Sequence, residues 1–152
     1  MLERPHRASR IVNPFVLLLS VLALAGGPLA QDEPAVAACE PPEQPSVSFA
    51  SDVQMVFDFN CVSCHQTGAT NADLNLAFGE SYADLVAVAS TQSALLRVQP
   101  GVPDESYLFH KLQGTQQEVG GSGTQMPQGL GPLPEADVAT IRTWIEECAL
   151  DN

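Results

Sequence analysis

Basic residues are scarce in this sequence. It has 6 Lys and Arg against 18 Asp and Glu, which gives a formal net charge of -12. A surface of this sign repels nucleic acid and anionic lipid, and it attracts a basic patch on a partner protein. The composition therefore argues against nucleic-acid binding and favours a partner with a basic docking patch.

Long apolar runs are scarce as well. The run from Phe15 to Ala25 follows an arginine-rich start and ends in the small-residue site "ALA", and no second long apolar segment follows. A membrane-spanning helix needs roughly 20 apolar residues, so this run is too short to span a bilayer comfortably. These features predict a secretory leader at residues 1–25, with cleavage between residues 25 and 38, and an exported, periplasmic bacterial protein.

A second interpretation of the leader concerns Cys39. The sequence "VAAC" that ends at Cys39 resembles the site at which lipoproteins are cut and acylated, but Asp32, Glu33 and Pro34 separate it from the apolar run. Membrane association is therefore not expected unless Cys39 is lipidated.

The alternating pattern of a half-buried strand is missing from the chain, and helical periodicity takes its place. Residues 26–48 are rich in proline and acid and predict an extended arm, whereas residues 49–152 predict one small all-α domain with long loops.

Helices are expected over 49–60, with Ser51 as N-cap, over 81–89, from near residue 104, and from residue 134 onwards. The apolar side chains expected on their inward faces are Val53, Val56, Phe57, Tyr107, Leu108, Leu112, Val138, Ile141, Ile145 and Cys148, with Trp144 at the flank of the last stripe.

Cysteine is limited to four residues, and two of them stand in the motif "CVSCH" at residues 61–65. A zinc site would need two close pairs of ligands, and the chain has only this one pair. A thioredoxin-like dithiol would need a strand-to-helix junction, and no strands are expected. The remaining interpretation is covalent attachment of haem c, with Cys61 and Cys64 forming thioethers to the vinyl groups and His65 as the proximal iron ligand.

The sixth iron ligand must come from elsewhere in the chain. Met126 is the leading candidate because it lies in the glycine-rich loop between residues 113 and 132 and is followed by Pro127. His110 is an alternative, although its apolar neighbours favour a solvent-facing side chain. Met55 lies on the same helix as the motif and is poorly placed to reach the opposite haem face. An open or water-bound iron is the third alternative.

Cys39 and Cys148 have no role in holding the haem. In an oxidising compartment, two spare cysteines near the ends of a small domain suggest a disulfide that ties the proline-rich arm to the last helix. The alternative is a pair of unpaired thiols.

Taken together, the segments "FDFNCVSCH", "PGVPDESYL" and "MPQGLGPLPEADVATIRTWIEE" resemble the class I c-type cytochromes, and more narrowly the small domains called planctomycete-type, over residues 49–149. The resemblance implies a monohaem cytochrome c fold in which the N- and C-terminal helices cross, with Phe57 packed against Ile141 and Trp144. It implies a one-electron carrier for a redox protein rather than an enzyme. Two alternatives stay open: a haem enzyme or gas sensor with an open distal site, and the electron-transfer subunit of a larger dehydrogenase complex.

Overall fold

The computed structural model describes residues 39–68 and 71–152, and this part of the chain is helical. It contains no strand, only three isolated β-bridges, so the all-α prediction is confirmed for the described residues. The predicted leader and residues 26–38 of the predicted arm lie outside them. In order, the helical elements are a π-turn at Phe49–Val53, α1 at Gln54–Asn60, α2 at Ser81–Leu85, a 3-10 turn at Pro103–Glu105, α3 at Tyr107–Gln113 and α4 at Glu135–Glu146. None of the described helices is long and apolar enough to cross a membrane.

The N-cap of the first helical segment, which begins at Phe49, is Ser48 rather than the predicted Ser51. The Ser48 hydroxyl accepts a hydrogen bond from the Ser51 N–H at 3.3 Å, and the Asp52 carboxylate accepts one from the Ser48 N–H at 2.8 Å. This reciprocal pair satisfies backbone donors that a helix start leaves without partners. The prediction of Ser51 as N-cap is wrong because Ser51 already lies inside the first turn.

The second helix is shorter than the sequence predicts, since α2 ends at Leu85 instead of continuing to residue 89. Val86 is extended, and the Ala87 N–H donates to the Val98 carbonyl at 3.0 Å. The Val98 N–H in turn donates to the Leu85 carbonyl at 3.1 Å. Pairing with a distant segment outweighs local helix propensity here, and β-branched valines suit extended backbone.

The core lies between the π-turn, α1 and α4. Phe49 stands between two large side chains, with its ring centroid 6.3 Å from that of Phe57 and 5.1 Å from that of Trp144. Phe57, Ile141 and Trp144 all belong to one buried cluster. Trp144 is 1% exposed, so it lies at the centre of the stripe rather than at its flank.

The end of the arm is fastened to the end of α4. The sulfurs of Cys39 and Cys148 lie at disulfide distance, with their Cα atoms 5.5 Å apart. The Glu147 carboxylate accepts hydrogen bonds from the N–H and hydroxyl groups of Ser46 and from the Val47 N–H, over distances of 2.6 to 3.2 Å. Cys148 has a φ of +74°, the left-handed conformation that favours glycine. A residue with a side chain adopts this backbone conformation at some cost in folding free energy.

Candidate functional site

The end of α1 brings Cys61, Cys64 and His65 onto one tight bend. The Cys61 N–H donates to the Phe57 carbonyl at 2.8 Å and closes the last helical turn. The Cys61 carbonyl then accepts hydrogen bonds from the Cys64 N–H at 3.0 Å and the His65 N–H at 2.9 Å. Both thiols are free, Cys61 half-buried and Cys64 exposed. The backbone therefore fixes the relative placement of the three predicted haem residues.

The loop that follows His65 is tied back to this bend. The Leu76 N–H donates to the His65 carbonyl at 2.8 Å, and the Asn71 amide donates to the Cys64 carbonyl at 2.9 Å. From the α1 side, the buried Gln54 amide donates to the Leu76 carbonyl at 3.0 Å. These bonds hold the backbone on both sides of the imidazole.

The imidazole of His65 has one buried nitrogen without a partner. Among the described residues, no hydrogen bond of standard geometry reaches Nδ1, although the atom is buried. Burial lowers the pKa of His65, and the nearby backbone groups of Asn71 and Leu74 act in the opposite direction. A neutral imidazole is the form that binds a metal, and its other ring nitrogen is usually oriented by a carbonyl or a carboxylate. The backbone at Asn71 and Leu74 is the candidate for that role, which the sequence did not reveal.

Met126 is positioned by the last turn of α3. The carbonyl groups in a final helical turn lack partners within the helix. Here the Lys111 carbonyl accepts from the Met126 N–H at 2.8 Å, and the Leu112 carbonyl accepts from the Gln125 amide at 2.8 Å. The glycine-rich loop is thus held against α3 directly before its methionine.

The same loop is also anchored at its middle. The Tyr107 hydroxyl donates to the Ser122 carbonyl at 2.8 Å and accepts from the Ser122 N–H at 3.0 Å. Gly121 approaches the Tyr107 ring so closely that a Cβ atom would overlap it. Glycine at this position allows the loop to pack on α3.

A cavity of about 450 Å³ lies between the end of α1, α3 and this loop. Cofactor sites typically measure roughly 300 to 1,000 Å³ and are lined mainly by apolar groups. The lining includes Cys61, Cys64, His65 and Met126 together, so the structure brings all four predicted haem residues to one cavity. Further apolar lining comes from Leu74, Leu76, Leu85, Leu108, Leu112 and Leu130.

Neither His110 nor Met55 lines the cavity. The His110 ring nitrogens are engaged elsewhere, with Nδ1 2.8 Å from the Thr115 hydroxyl and Nε2 2.9 Å from the Asp104 carbonyl. Met55 points away from the core and is 55% exposed. Met126 is the sulfur ligand candidate whose side chain lines the cavity.

The Cys61 thiol is held in its protonated form by its surroundings. Burial, together with the charge of Cys64, raises the pKa of the Cys61 thiol to about 12. Catalytic dithiols work through a cysteine whose pKa is lowered, because the thiolate is the nucleophile. Within residues 39–68 and 71–152, no three His, Cys, Asp or Glu side chains are grouped to hold a metal ion. A raised pKa disfavours the Cys61 thiolate, the form that a redox-active dithiol would use.

The two basic residues that line the cavity were not identified from the sequence as part of the site. Arg97 and Lys111 both line it, and both are buried, 8% and 6% exposed. The sequence could have revealed Lys111 by its position in α3, because it follows Tyr107 by four residues and lies between the inward-facing Leu108 and Leu112. Arg97 is isolated in the sequence, and only its tertiary contacts place it here.

Comparisons with protein-family models, with curated proteins and with solved structures find no match for this chain.

Proposed function

We propose that this chain is a monohaem c-type cytochrome of class I that carries single electrons outside the cytoplasm. The observation that carries the proposal is the convergence of Cys61, Cys64, His65 and Met126 on one largely apolar cavity of about 450 Å³. These residues come from separate parts of the chain, and their chemistry matches two thioether anchors, a proximal imidazole and a distal thioether. The packing of α4 against the π-turn before α1 is compatible with the crossing helices of that fold.

The residues divide the work of holding the cofactor. Cys61 and Cys64 would anchor the haem covalently, His65 would bind the iron from the α1 side, and Met126 would bind it from the loop side. When bound, haem supplies an iron that exchanges one electron between its ferrous and ferric states. The protein's part would be to supply His65 and Met126 as iron ligands, to exclude water and to tune the potential.

The surroundings of the cavity suit an electron carrier better than an enzyme. A methionine ligand and an apolar lining both favour the ferrous state and a fairly high potential. Of the two buried cationic side chains at the cavity, Arg97 is committed to the backbone, with hydrogen bonds of 2.7 Å to the carbonyls of Asp84 and Asp73. The guanidinium is therefore not poised for peroxide chemistry.

The acidic composition and the disulfide geometry bear on partners and location. With a formal net charge of -12, the chain would dock briefly to a redox partner that presents a basic patch on its own surface. A Cys39 sulfur bonded to Cys148 cannot carry a lipid, so the pairing supports an exported protein without a lipid anchor. The protein would serve as a free shuttle or as the electron-transfer subunit of a larger complex.

The direct test of haem attachment is the mass of the exported protein, produced in a bacterium that attaches haem c. The proposal predicts one haem that stays with the chain after denaturation and extraction. A Cys61→Ser, Cys64→Ser double variant should lose it, and the Met55→Leu variant, altered on the exposed side of α1, should keep it. A wild-type chain that is exported without covalent haem would overturn the proposal.

A further inference from the structure

The few cations of the described chain are concentrated at the cavity. Residues 39–68 and 71–152 contain three Lys or Arg side chains, Arg97, Lys111 and Arg142. Arg97 and Lys111 are buried and line the cavity, and Arg142 is the exposed one, paired with Glu146 at 2.8 Å. An acidic protein that places its two buried cations around one cavity provides a positive site there.

Arg97 is compensated by the protein itself. Besides its bonds to backbone carbonyls, its guanidinium lies 3.4 Å from the Asp84 carboxylate. The positive charge of Arg97 therefore has a negative partner within the fold, and its role in fastening α2 to the loop at Asp73 is sufficient to explain its burial.

Within the part of the chain that the structure describes, Lys111 has no carboxylate partner. Its ammonium group donates to the Ser122 carbonyl at 3.3 Å and lies 6.0 Å from the centre of the Tyr107 ring, but no carboxylate of the described residues forms a salt bridge with it. With 6% of its surface exposed, Lys111 has been largely removed from water. A buried charge without a partner is strongly unfavourable, and buried charges are normally paired.

The Lys111 ammonium group lies directly against the glycine-rich loop. A Cβ atom placed at Gly123 would be only 2.9 Å from the Lys111 Nζ, which shows how closely the two approach. The helix and the glycine-rich loop together direct the charge to the side of the cavity that carries Met126.

We propose that Lys111 is the counter-cation for a carboxylate of the ligand bound in this cavity, which on the proposed function is a propionate group of the haem. The inference rests on that function. Lys111 thereby favours a ligand that carries an acidic group on the loop side of the cavity. Its positive charge balances the negative charge of that group in a place removed from water.

The test compares Lys111→Met with Arg142→Met. Each substitution removes one positive charge and retains an apolar stem, but only the first charge lines the cavity. In proteins carrying haem labelled with carbon-13 at the propionate carboxyls, infrared difference spectra should show a shifted carboxylate band for Lys111→Met and an unchanged band for Arg142→Met. The midpoint potential should fall in Lys111→Met, since a nearby positive charge that favours the ferrous state is lost.

A direct distance measurement needs no variant. In NMR spectra of the ferrous wild-type protein, a nuclear Overhauser effect should connect the Lys111 side-chain CH₂ protons with the CH₂ protons of one propionate. No such effect, or a carboxylate band that does not move in Lys111→Met, would overturn the inference, even if the potential falls. Loss of the proposed function gives a different result, a wild-type chain without haem.

Discussion

The link between Cys39 and Cys148 should stabilise the domain by restricting its unfolded chain. The two residues are 109 positions apart in the sequence. Closing a loop of this length removes chain entropy worth about 5 kcal/mol at 25 °C, before any strain in the folded state is subtracted. A Cys39→Ser, Cys148→Ser variant should therefore be less stable than the wild type by about 3 to 5 kcal/mol.

Other contacts at the junction should keep the folded structure of this variant intact. Ser46 and Val47 would still donate to Glu147, and the Phe49 N–H would still donate to the Asn152 side chain at 2.8 Å. Equilibrium unfolding in guanidinium chloride, followed by tryptophan fluorescence, measures the free energy of unfolding. The wild-type and variant proteins must carry the same cofactor.

A matched variant separates the contribution of the cross-link to stability from the cost of the backbone conformation at Cys148. Because residue 148 has a φ of +74°, Cys39→Ser, Cys148→Gly should be more stable than the double serine variant by about 1 kcal/mol. A double serine variant within about 1 kcal/mol of the wild type would refute the stabilising role of the cross-link. A glycine variant no more stable than the serine variant would refute the backbone argument.

Three further predictions concern separate parts of the molecule. Cys64→Ser should retain haem through a single thioether or not at all, and mass spectrometry showing normal double attachment would contradict the anchor assignment. Met126→Ala should lower the midpoint potential and allow carbon monoxide to bind, whereas an unchanged potential would move the sixth ligand elsewhere. The Ser46 hydroxyl and the backbone N–H groups beside it lower the pKa of Glu147 from its ordinary value of 4.5. A group with a lowered folded pKa stabilises above its unfolded value, and this stability is lost as the pH falls through the folded value. Glu147→Gln should thus be less stable than the wild type at pH 7 by under about 1 kcal/mol, and the difference should vanish in acid; a difference independent of pH would count against this contact.

The sequence predicted a helix most accurately where its local apolar pattern and the packing of the folded chain favour the same conformation. Val53, Val56 and Phe57 repeat at helical spacing, and all three are buried. Because a helical pattern fixes one inward face, it could also place Cys61 and its neighbours at the end of that helix.

The errors arose where distant segments decide the local structure. Val86 and Val88 could continue the helix, but Val86 pairs with Val98, and the Val88 carbonyl accepts from the Arg97 N–H. Trp144 could lie at the edge of its helix, but stacking near Phe49 and a hydrogen bond from its indole to the Leu150 carbonyl at 2.9 Å place it in the core.

The candidate site shows the same division between local and tertiary information. Spacing alone singled out residues 61–65, since the motif is contiguous. The support of Met126 by the end of α3 and the burial of Lys111 depend on how the glycine-rich loop folds back, which no periodic pattern encodes.

The central claim is that haem is bound between His65 and Met126, and the visible absorption spectrum tests it most directly. Spectra of the exported protein are recorded oxidised and reduced, with and without carbon monoxide. The account predicts a haem c spectrum, a weak far-red band of sulfur-to-ferric-iron charge transfer, and no change on adding carbon monoxide. Absence of that band with immediate carbon monoxide binding would contradict methionine ligation, and absence of any haem spectrum would contradict the account as a whole.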